Sequence, residues 1–276
     1  MAPSAWQWDP SLYRGSAAYY ARGRMPYPGA LADALTAELH LDGRGRLLDI
    51  GCGPGSLTLL LAEKFERAVG LDADPDMIEE AARLAGQGGR TNIDWLCMRA
   101  EELPAGLGRF ELIAFAQSFH WMDRPKVAAA VHDMLHPGGV CLHVHATTHR
   151  GDPAAAAHPI PPYPAIEELV RTYLGSVRRA GRGSLPDGTA AGEDEIYQAA
   201  GFTRERRIDI SGDMVTRTND DVVAAVFSLS SSAPHLFADN RIRFESELRQ
   251  LLHDASPSGM FCEHTRAIAI DIWRPA

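Results

Sequence analysis

The 276-residue sequence has few features of a metal-binding, disulfide-linked or membrane-spanning chain. Its four cysteines (Cys52, Cys97, Cys141 and Cys262) are scattered without C-x-x-C spacing, which favours reduced thiols. No segment offers about 18 consecutive apolar residues, and MAPSAWQWDPSLYRG lacks the basic stretch and apolar run of a signal peptide. We therefore expect a cytoplasmic protein that binds no metal and no membrane.

The chain also lacks an excess of positive charge. Lys and Arg number 27 against 36 Asp and Glu, which gives a formal net charge of −9. Because binding to a phosphate backbone normally needs a basic surface, we expect no nucleic-acid partner. The hydrophobic content of 45% is sufficient for one sizeable core, and we expect a monomer or a homodimer.

From Arg46 onward, short apolar runs alternate with helical patterns, which predicts βαβ units and a parallel sheet. The predicted strands are RLLDI, RAVGLD, IDWLCMR, FELIAFAQ, VCLHVHATT, ERRIDIS and TRAIAIDIWR. The helices between the first five strands are LTLLLAEKF, MIEEAARLA and KVAAAVHDML. Asp74 followed by Pro75 is a typical start for the second of these helices.

We expect a single domain over residues 1–276, with a core formed by 41–148 and 191–276. Two irregular stretches, 149–190 and 212–264, are rich in Pro, Gly, Ser and polar residues but contain helical pieces such as AIEELVRTYLG and RFESELRQLLHD. Together with residues 1–40, these stretches are predicted to form a cap over the carboxyl edge of the sheet.

A glycine-rich turn, with Gly51, Gly53 and Gly55, directly follows the first buried strand, where a ligand can approach the backbone closely. A tight strand-to-helix connection without a ligand is the alternative. A dinucleotide site with G-x-G-x-x-G spacing needs glycine at position 56, where this chain has Ser56. Asp49 would repel a diphosphate but attract an ammonium and a sulfonium, so the turn favours a cationic ligand.

Asp72 ends the second strand, 21 residues after Gly51. At that distance an acidic side chain accepts hydrogen bonds from both hydroxyls of a ribose. A helix-capping aspartate is the alternative, but Asp74 beside Pro75 already fits that role. We therefore favour ribose binding for Asp72.

Three segments, LLDIGCGPGSLTLLLA, VGLDADPDMIEEA and DMLHPGGVCLHV, resemble successive motifs of class I S-adenosylmethionine (SAM)-dependent methyltransferases. The resemblance covers roughly residues 41–148, and the AGF turn followed by two closing strands extends it to the C-terminus. It implies an α/β, Rossmann-like fold with a seven-stranded, mostly parallel sheet of order 3-2-1-4-5-7-6, whose last strand is antiparallel, helices on both faces and a small, mainly helical cap. It also implies methyl transfer from SAM to a small-molecule acceptor, with S-adenosylhomocysteine as the product.

The same resemblance assigns residues to the parts of SAM. The glycine turn holds the methionine part, Asp49 lies beneath its ammonium and Asp72 takes the ribose. Ala100 and Glu101 occupy the place of adenine contacts, and Met77 either covers a ring face or is plain core. The expected cofactor-binding set is Tyr19, Arg24, Asp49, Gly51, Cys52, Gly53, Gly55, Asp72, Ala73, Met77, Ala100, Glu101 and Gln117.

The fourth strand ends in AFAQSFHWMD, at the edge where parallel sheets bind ligands. Enzymes that methylate amide or base amines often carry Asn-Pro-Pro-Tyr there, so its absence disfavours a DNA or glutamine-amide acceptor. QSFHWMD and the N-terminal YYARGRMPYP together resemble small-molecule methyltransferases related to the trans-aconitate enzymes. In that subgroup the N-terminal helix lies across the SAM site, which makes Tyr19, Tyr20, Arg22 and Arg24 candidates for contacting cofactor or acceptor. A solvated basic helix face is the alternative; Arg24 is the candidate partner of the SAM carboxylate.

His120 is the candidate general base, because an imidazole titrates near neutrality. Tyr20 and Arg24 complete the expected catalytic set. The alternative for His120 is a hydrogen bond to backbone that shapes the pocket. Lesser candidates, with core or rim positions as the alternative, are His143, His145 and His149.

Aromatic residues are predicted to form a wall that attracts a flat acceptor and the cationic methyl group. The candidates are Phe119, Trp121, Tyr19, Tyr20, Trp6, Trp8 and Tyr163, of which Phe119, Trp121, Tyr20 and Tyr163 form the expected substrate-binding set. This density predicts an aromatic or indole-bearing natural product as acceptor, with methylation at an indole carbon as one form.

Three alternatives remain open. One is a methyltransferase for a small carboxylic acid, as in the trans-aconitate relatives. In that case the segment 178–188 is a lid whose arginines contact the acid; the alternative for this segment is a solvated loop. Another is a protein that binds SAM without turnover. The third, a nicotinamide oxidoreductase, requires tight dinucleotide binding.

Overall fold

Alternating strands and helices build one sheet with helices on both sides. The computed structural model describes residues 8–177, 179–180, 183–184 and 192–276, with backbone alone for 179–180 and 183–184. The strands of the main sheet in these ranges are β1 Arg46–Ile50, β2 Arg67–Asp72, β3 Ile93–Cys97, β4 Phe110–Ala116, β5 Leu135–His145, β6 Phe202–Ile210 and β9 Ile268–Pro275. A separate antiparallel pair consists of β7 Met214–Thr218 and β8 Met260–His264.

The α-helices in the described ranges are α1 Ala17–Gly23, α2 Gly29–Leu39, α3 Ser56–Leu61, α4 Pro75–Gln87, α5 Arg124–Met134, α6 Tyr163–Leu174, α7 Glu193–Ala199, α8 Asn219–Phe227 and α9 Arg241–Ala255. Short 3₁₀ turns include Ala100–Glu102 after β3 and Phe119–Trp121 after β4. No helix in these parts of the chain is long and apolar enough to cross a membrane.

The main sheet has the order β3-β2-β1-β4-β5-β9-β6. Strands β1 to β5 pair in parallel, and β9 is antiparallel to both of its neighbours. Counted within this sheet, β6 is the sixth strand and β9 the seventh, so the predicted order 3-2-1-4-5-7-6 and the predicted α/β fold are confirmed. The order reverses between β1 and β4, where a parallel sheet opens its ligand crevice.

The central strands are apolar because helices cover both faces of the sheet. Leu48 and Ile50 of β1 face a buried cluster that includes Phe115 and residues of α5 and α7. Leu47 faces the opposite cluster, which includes residues of α2 and α3. With both faces buried, the strand ends and the turns that follow them are the parts of the sheet open to a ligand.

A third apolar cluster lies among α6, α8 and α9, with Phe227, Phe244 and Leu248 fully buried. Helix α1 packs against α8 so closely that a Cβ atom on Gly23 would lie 2.3 Å from the backbone carbon of Ala224. The sequence analysis predicted helical segments at α6 and α9 but missed α8 and the β7–β8 pair. Every residue from 222 to 227 in α8 is buried, so the helix shows no amphipathic period.

Candidate functional site

A cleft lies at the carboxyl ends of β1, β2 and β4. It encloses about 960 Å³ of space, open solvent at its mouth included, and is covered on one side by residues of the N-terminal segment and α1. The residues predicted for the site that line this cleft are Tyr20, Arg24, Asp49, Gly51, Cys52, Gly53, Asp72, Ala73, Met77, Ala100, Glu101, Gln117 and Trp121. The structure thus brings together side chains that are more than 100 residues apart in the chain.

The glycine turn after β1 is held to β2 by its backbone. The amide groups of Gly51 and Cys52 both donate to the carbonyl oxygen of Leu71, at 2.7 and 3.0 Å. The turn glycines at 51, 53 and 55 all have positive φ, at 70°, 54° and 80°. A Cβ atom on Gly51 would lie 2.5 Å from the Ser118 Cβ, so packing requires glycine there.

Gly53 differs from the other turn glycines. A Cβ atom at this position would meet no protein atom within 4 Å, yet Gly53 lines the cleft. The turn between β1 and α3 therefore leaves open space beside its own backbone. A ligand can use this space to contact the peptide backbone directly.

Asp49 is fully buried at the base of the turn and lines the cleft. The Thr58 hydroxyl donates to its Oδ2 atom at 2.6 Å, whereas its buried Oδ1 atom has no hydrogen-bond partner within the described parts of the chain. Burial raises the pKa of this carboxyl to about 7. Because buried carboxylate oxygens normally have partners, Oδ1 is the position at which a cationic hydrogen-bond donor would complete the site.

Asp72 supports the turn as well as lining the cleft. Its Oδ2 accepts a hydrogen bond from the Gly53 amide at 2.8 Å, and its Oδ1 accepts from the Asp74 amide at 2.9 Å. Each oxygen keeps a second acceptor position. Asp74 is confirmed as the cap of α4, because its side chain accepts from the amides of Asp76 and Met77. Burial raises the Asp72 pKa to about 6.

Because the pKa values of Asp49 and Asp72 are raised, we predict that binding of a cationic ligand depends on pH. A ligand that pairs with ionised Asp49 must displace its proton below about pH 7, so affinity rises as the pH rises through that value. We expect S-adenosylhomocysteine to bind about 20-fold more tightly at pH 7.5 than at pH 5.5, measured by calorimetry. Asp49→Asn should flatten most of this dependence; an unchanged slope in that variant would contradict the assignment.

The far end of the cleft is formed by Ala73, Met77 and the turn after β3. Glu101 fixes that turn, since its Oε1 accepts from the Asp123 amide at 2.8 Å and its Oε2 accepts from Arg99 Nε at 3.3 Å. Met77 is only 2% exposed, but it lines the cleft and therefore offers a flat apolar contact to whatever binds there.

Aromatic residues of the N-terminal segment and Trp121 also line the cleft. Tyr13 makes edge contacts with Tyr20 and Trp121, with ring centroids 6.3 and 6.1 Å apart, and Trp8 and Tyr27 are further lining residues. Within the described residues, the buried Trp121 Nε1 interacts with the Tyr13 hydroxyl but not in good hydrogen-bond geometry. Sequence reasoning missed Tyr13 and Tyr27, although Tyr27 belongs to the YYARGRMPYP segment that it singled out.

Arg24 reaches the cleft from the end of α1. Its guanidinium lies 4.6 Å from the centre of the Tyr20 ring, and it donates to the Ser228 hydroxyl and carbonyl oxygens at 2.8 and 3.0 Å. Arg22, the neighbouring candidate, turns outward and pairs with Asp220 and Asp221. The N-terminal helix thus presents one of its two candidate arginines to the cleft.

Several predicted residues lie away from the cleft lining. Phe119 is fully buried and stacks on Tyr197, with ring centroids 4.9 Å apart. The Tyr163 hydroxyl donates to Glu263, and the Tyr19 ring packs against Phe227. Gly55 turns toward the Trp95 ring. Trp6 lies outside the described residues. The segment 178–188 also lies outside them, except for the backbone of 179–180 and 183–184.

His120 lies next to the cleft rather than among its lining residues, with its ring 4.7 Å from that of Trp121. His143 is buried, and its Nδ1 lies 3.2 Å from the Tyr197 hydroxyl. Burial, with a smaller effect of His145, lowers the His143 pKa to about 3. His145 pairs with Asp271 at 3.0 Å.

All four cysteines are free thiols. Within the described ranges, no group of three or more His, Cys, Asp or Glu side chains is arranged to hold a metal ion.

Comparison with known proteins agrees with this geometry. Residues 47–139 match the family model described as a methyltransferase domain. An uncharacterised methyltransferase of Mycobacterium tuberculosis is 33% identical over 48% of this chain and 51% of its own length. Trans-aconitate 2-methyltransferase of Streptomyces avermitilis is 43% identical over 29% of this chain and 28% of its own length. The 2-heptyl-1-hydroxyquinolin-4(1H)-one methyltransferase of Mycobacteroides abscessus is 34% identical over 41% of this chain and 50% of its own length. The chain spans about half the length, or less, of these curated relatives.

Two solved structures share the fold over nearly the whole chain. A SAM-dependent methyltransferase from Geobacter sulfurreducens, in complex with S-adenosyl-L-homocysteine, has a TM-score of 0.51 at 14% identity and covers 97% of this chain and 98% of that one. The [4+2]-cyclase SpnF has a TM-score of 0.52 at 19% identity and covers 98% of both chains. At such identities the likeness shows the fold alone. Over residues 47–139, the chain is therefore similar in sequence to methyltransferase domains.

Proposed function

We propose that this protein transfers a methyl group from SAM to a small molecule. The observation that carries the proposal is the unpartnered, buried Oδ1 of Asp49 beside the open backbone of Gly53. When bound, SAM supplies a methyl group that is already activated on a sulfonium sulfur. Asp49 provides the counter-charge for the ammonium, the glycine turn allows close approach of the methionine part, and Asp72 offers acceptor positions for the ribose hydroxyls.

Charge and shape support this assignment over a dinucleotide. The lining of the cleft near the turn carries two carboxyl groups, Asp49 and Asp72, which oppose a diphosphate and favour a cation. Met77, Ala100 and Glu101 are the proposed neighbours of the adenine. Arg24 is the proposed partner of the SAM carboxylate, because its guanidinium lines the same cleft as Asp49.

We infer that the acceptor is aromatic or indole-bearing, as in natural-product biosynthesis. Trp8, Tyr13, Tyr20 and Trp121 line the cleft, and an aromatic surface of this kind binds a flat ring and excludes water. The Trp121 Nε1 can donate to an acceptor oxygen that enters the cleft beside the Tyr13 hydroxyl. The relative from Mycobacteroides abscessus, whose name gives a hydroxyquinolinone substrate, supports an aromatic ring system.

A small carboxylic acid is the second candidate acceptor. Arg24 and Arg99 both line the cleft, and either guanidinium can hold a carboxylate. The Streptomyces avermitilis relative, named as trans-aconitate 2-methyltransferase, supports this class over 81 aligned residues.

A turnover assay tests the function. Purified protein is incubated with methyl-labelled SAM and, in separate arms, indole derivatives, hydroxyquinolines and trans-aconitate, and S-adenosylhomocysteine is measured by mass spectrometry. We expect product that depends on an aromatic acceptor. Turnover with trans-aconitate alone would instead establish the carboxylic-acid class. Tight binding of SAM without turnover, in any arm or with a metabolite extract, would contradict the methyltransferase proposal.

His120 is the proposed general base, which takes the proton that the acceptor loses as its bond to the methyl carbon forms. We expect His120→Ala to lower kcat by about 100-fold, the usual contribution of a general base, and to leave the affinity for S-adenosylhomocysteine unchanged.

The control for this test is His120→Phe, which keeps an aromatic ring against Trp121. Both variants should lose activity to a similar extent if the imidazole accepts the proton. Wild-type turnover in His120→Phe would show that the ring only supports Trp121, and the general-base proposal would then be abandoned.

A further inference from the structure

A buried ion pair joins the two strands of the small sheet. Arg217 of β7 and Glu263 of β8 are 4% and 0% exposed, and Arg217 Nη1 lies 2.9 Å from Glu263 Oε1. The second carboxylate oxygen, Oε2, accepts hydrogen bonds from the Gly151 amide and the Tyr163 hydroxyl. A buried pair of this kind loses hydration on both partners, so its net contribution to stability is small.

The guanidinium of Arg217 also holds two segments that form a wall of the cleft. Its Nη2 atom donates to the Gly23 carbonyl at 2.8 Å, and its Nη1 atom donates to the His149 carbonyl at 3.2 Å. Gly23 is the last residue of α1, directly before Arg24. Both contacts use the fixed fork of guanidinium donors, which a lysine ammonium cannot reproduce.

These segments are also bonded to each other. The Met25 amide donates to the Thr148 carbonyl at 2.7 Å, and Arg24, Met25 and Thr148 all line the cleft. Residues 23–25 and 148–151 therefore form one unit, which the Arg217–Glu263 pair ties to β7 and β8. The apolar cluster of α6, α8 and α9 includes neither partner of the pair.

We propose that Arg217, through its pair with Glu263, is a positioning residue for the cofactor site. It sets the 23–25 segment so that Arg24 and Met25 face the cleft, without itself touching the ligand. The proposal rests on the proposed function, because it assumes that the cleft binds SAM.

The test compares Arg217→Lys and Glu263→Gln with the cap-core variant Leu248→Ala, which removes apolar contacts within the cluster of α6, α8 and α9 but no hydrogen bond of the Arg217–Glu263 pair. Binding of S-adenosylhomocysteine is measured by calorimetry, and Tm by calorimetric melting. We expect Arg217→Lys and Glu263→Gln, the clamp variants, to weaken binding by about tenfold, because even a small misplacement of a site wall is costly. Leu248→Ala should bind like the wild type despite an equal or larger loss of Tm.

Amide hydrogen exchange gives a second readout that needs no ligand. The peptide covering 145–151 should exchange faster in Arg217→Lys and Glu263→Gln than in the wild type, and at the wild-type rate in Leu248→Ala. Residues 23–27 should also exchange faster in Arg217→Lys and Glu263→Gln. Unchanged exchange and unchanged affinity in the clamp variants, or equal loss of affinity in Leu248→Ala, would overturn the positioning role. If the wild type itself fails to bind, the proposed function is overturned, and exchange alone decides on Arg217.

Discussion

Asp49→Asn is expected to weaken the binding of S-adenosylhomocysteine by about 30-fold or more, because truncating one partner of a buried charge pair costs about 2–5 kcal/mol. Asparagine keeps the size of the side chain and can still accept from the Thr58 hydroxyl. It removes the negative charge at Oδ1, where the ligand ammonium is proposed to bind. The measurement is a calorimetric titration at pH 7.5.

The same variant should be more stable than the wild type when no ligand is present. The Asp49 pKa lies near 7 in the folded protein against a reference of 3.8, so its ionisation costs folding free energy as the pH rises from about 4 to 7. The neutral amide avoids that cost. At pH 8 we expect Asp49→Asn to melt a few degrees higher than the wild type, and below pH 4 we expect no advantage.

Asp42→Asn is the matched control, because it removes the same charge from a side chain that is 62% exposed. It should change neither affinity nor melting temperature beyond small amounts. Wild-type affinity in Asp49→Asn would show that no cation binds at Oδ1. A lower melting temperature at pH 8 would show that the carboxylate already has a stabilising partner.

The second large effect is expected for Gly53→Ala. The added methyl group meets no protein atom within 4 Å but enters the space beside the turn that a ligand is proposed to fill. We expect at least a tenfold loss of affinity for S-adenosylhomocysteine. Stability should fall by only about 1–2 kcal/mol, the cost of an alanine in the left-handed region.

Gly89→Ala controls for that backbone strain. Gly89 also has positive φ, at 65°, and a Cβ atom there would meet nothing within 4 Å, but it lies at the end of α4 outside the cleft. The Gly89→Ala variant should lose as much stability as Gly53→Ala and should bind S-adenosylhomocysteine with the affinity of the wild type. Equal affinities for both variants would mean that the space beside Gly53 is not the ligand site.

The sequence was sufficient to predict the sheet and the part of the cleft around the glycine turn. Both depend on local patterns in the sequence. These are buried runs such as RLLDI, the glycine turn, and two aspartates at fixed distances from that turn. Gly51, Asp49 and Asp72 lie within one βαβ unit, so their proximity follows from the connection rules of parallel sheets.

The acceptor side was less predictable because it depends on tertiary packing. Phe119, His120 and Trp121 form a 3₁₀ turn, in which successive side chains point about 120° apart. Phe119 therefore enters the core, Trp121 lines the cleft, and no periodicity in the sequence distinguishes them. Tyr163 was expected near the acceptor, but its hydroxyl contacts Glu263, which is 100 residues away in the chain.

The missed elements have a related cause. Residues 222–227 of helix α8 are all buried, so the helix shows no amphipathic period. Strand β7 pairs with β8, which follows α8 and α9 in the chain, so no local pattern in the sequence indicates this pair. One signal was present: Thr218 and Asp221 form a capping box at the start of α8. Arg217, the residue before that box, gave no sign in the sequence of its contacts with α1.

Direct titration of the purified protein with S-adenosylhomocysteine, with a nicotinamide dinucleotide as the parallel ligand, tests the central claim that the carboxylate-flanked cleft after β1 holds SAM. We predict one-to-one binding of S-adenosylhomocysteine in the micromolar range and none of the dinucleotide. Binding of the dinucleotide instead, or of neither ligand, would contradict the account.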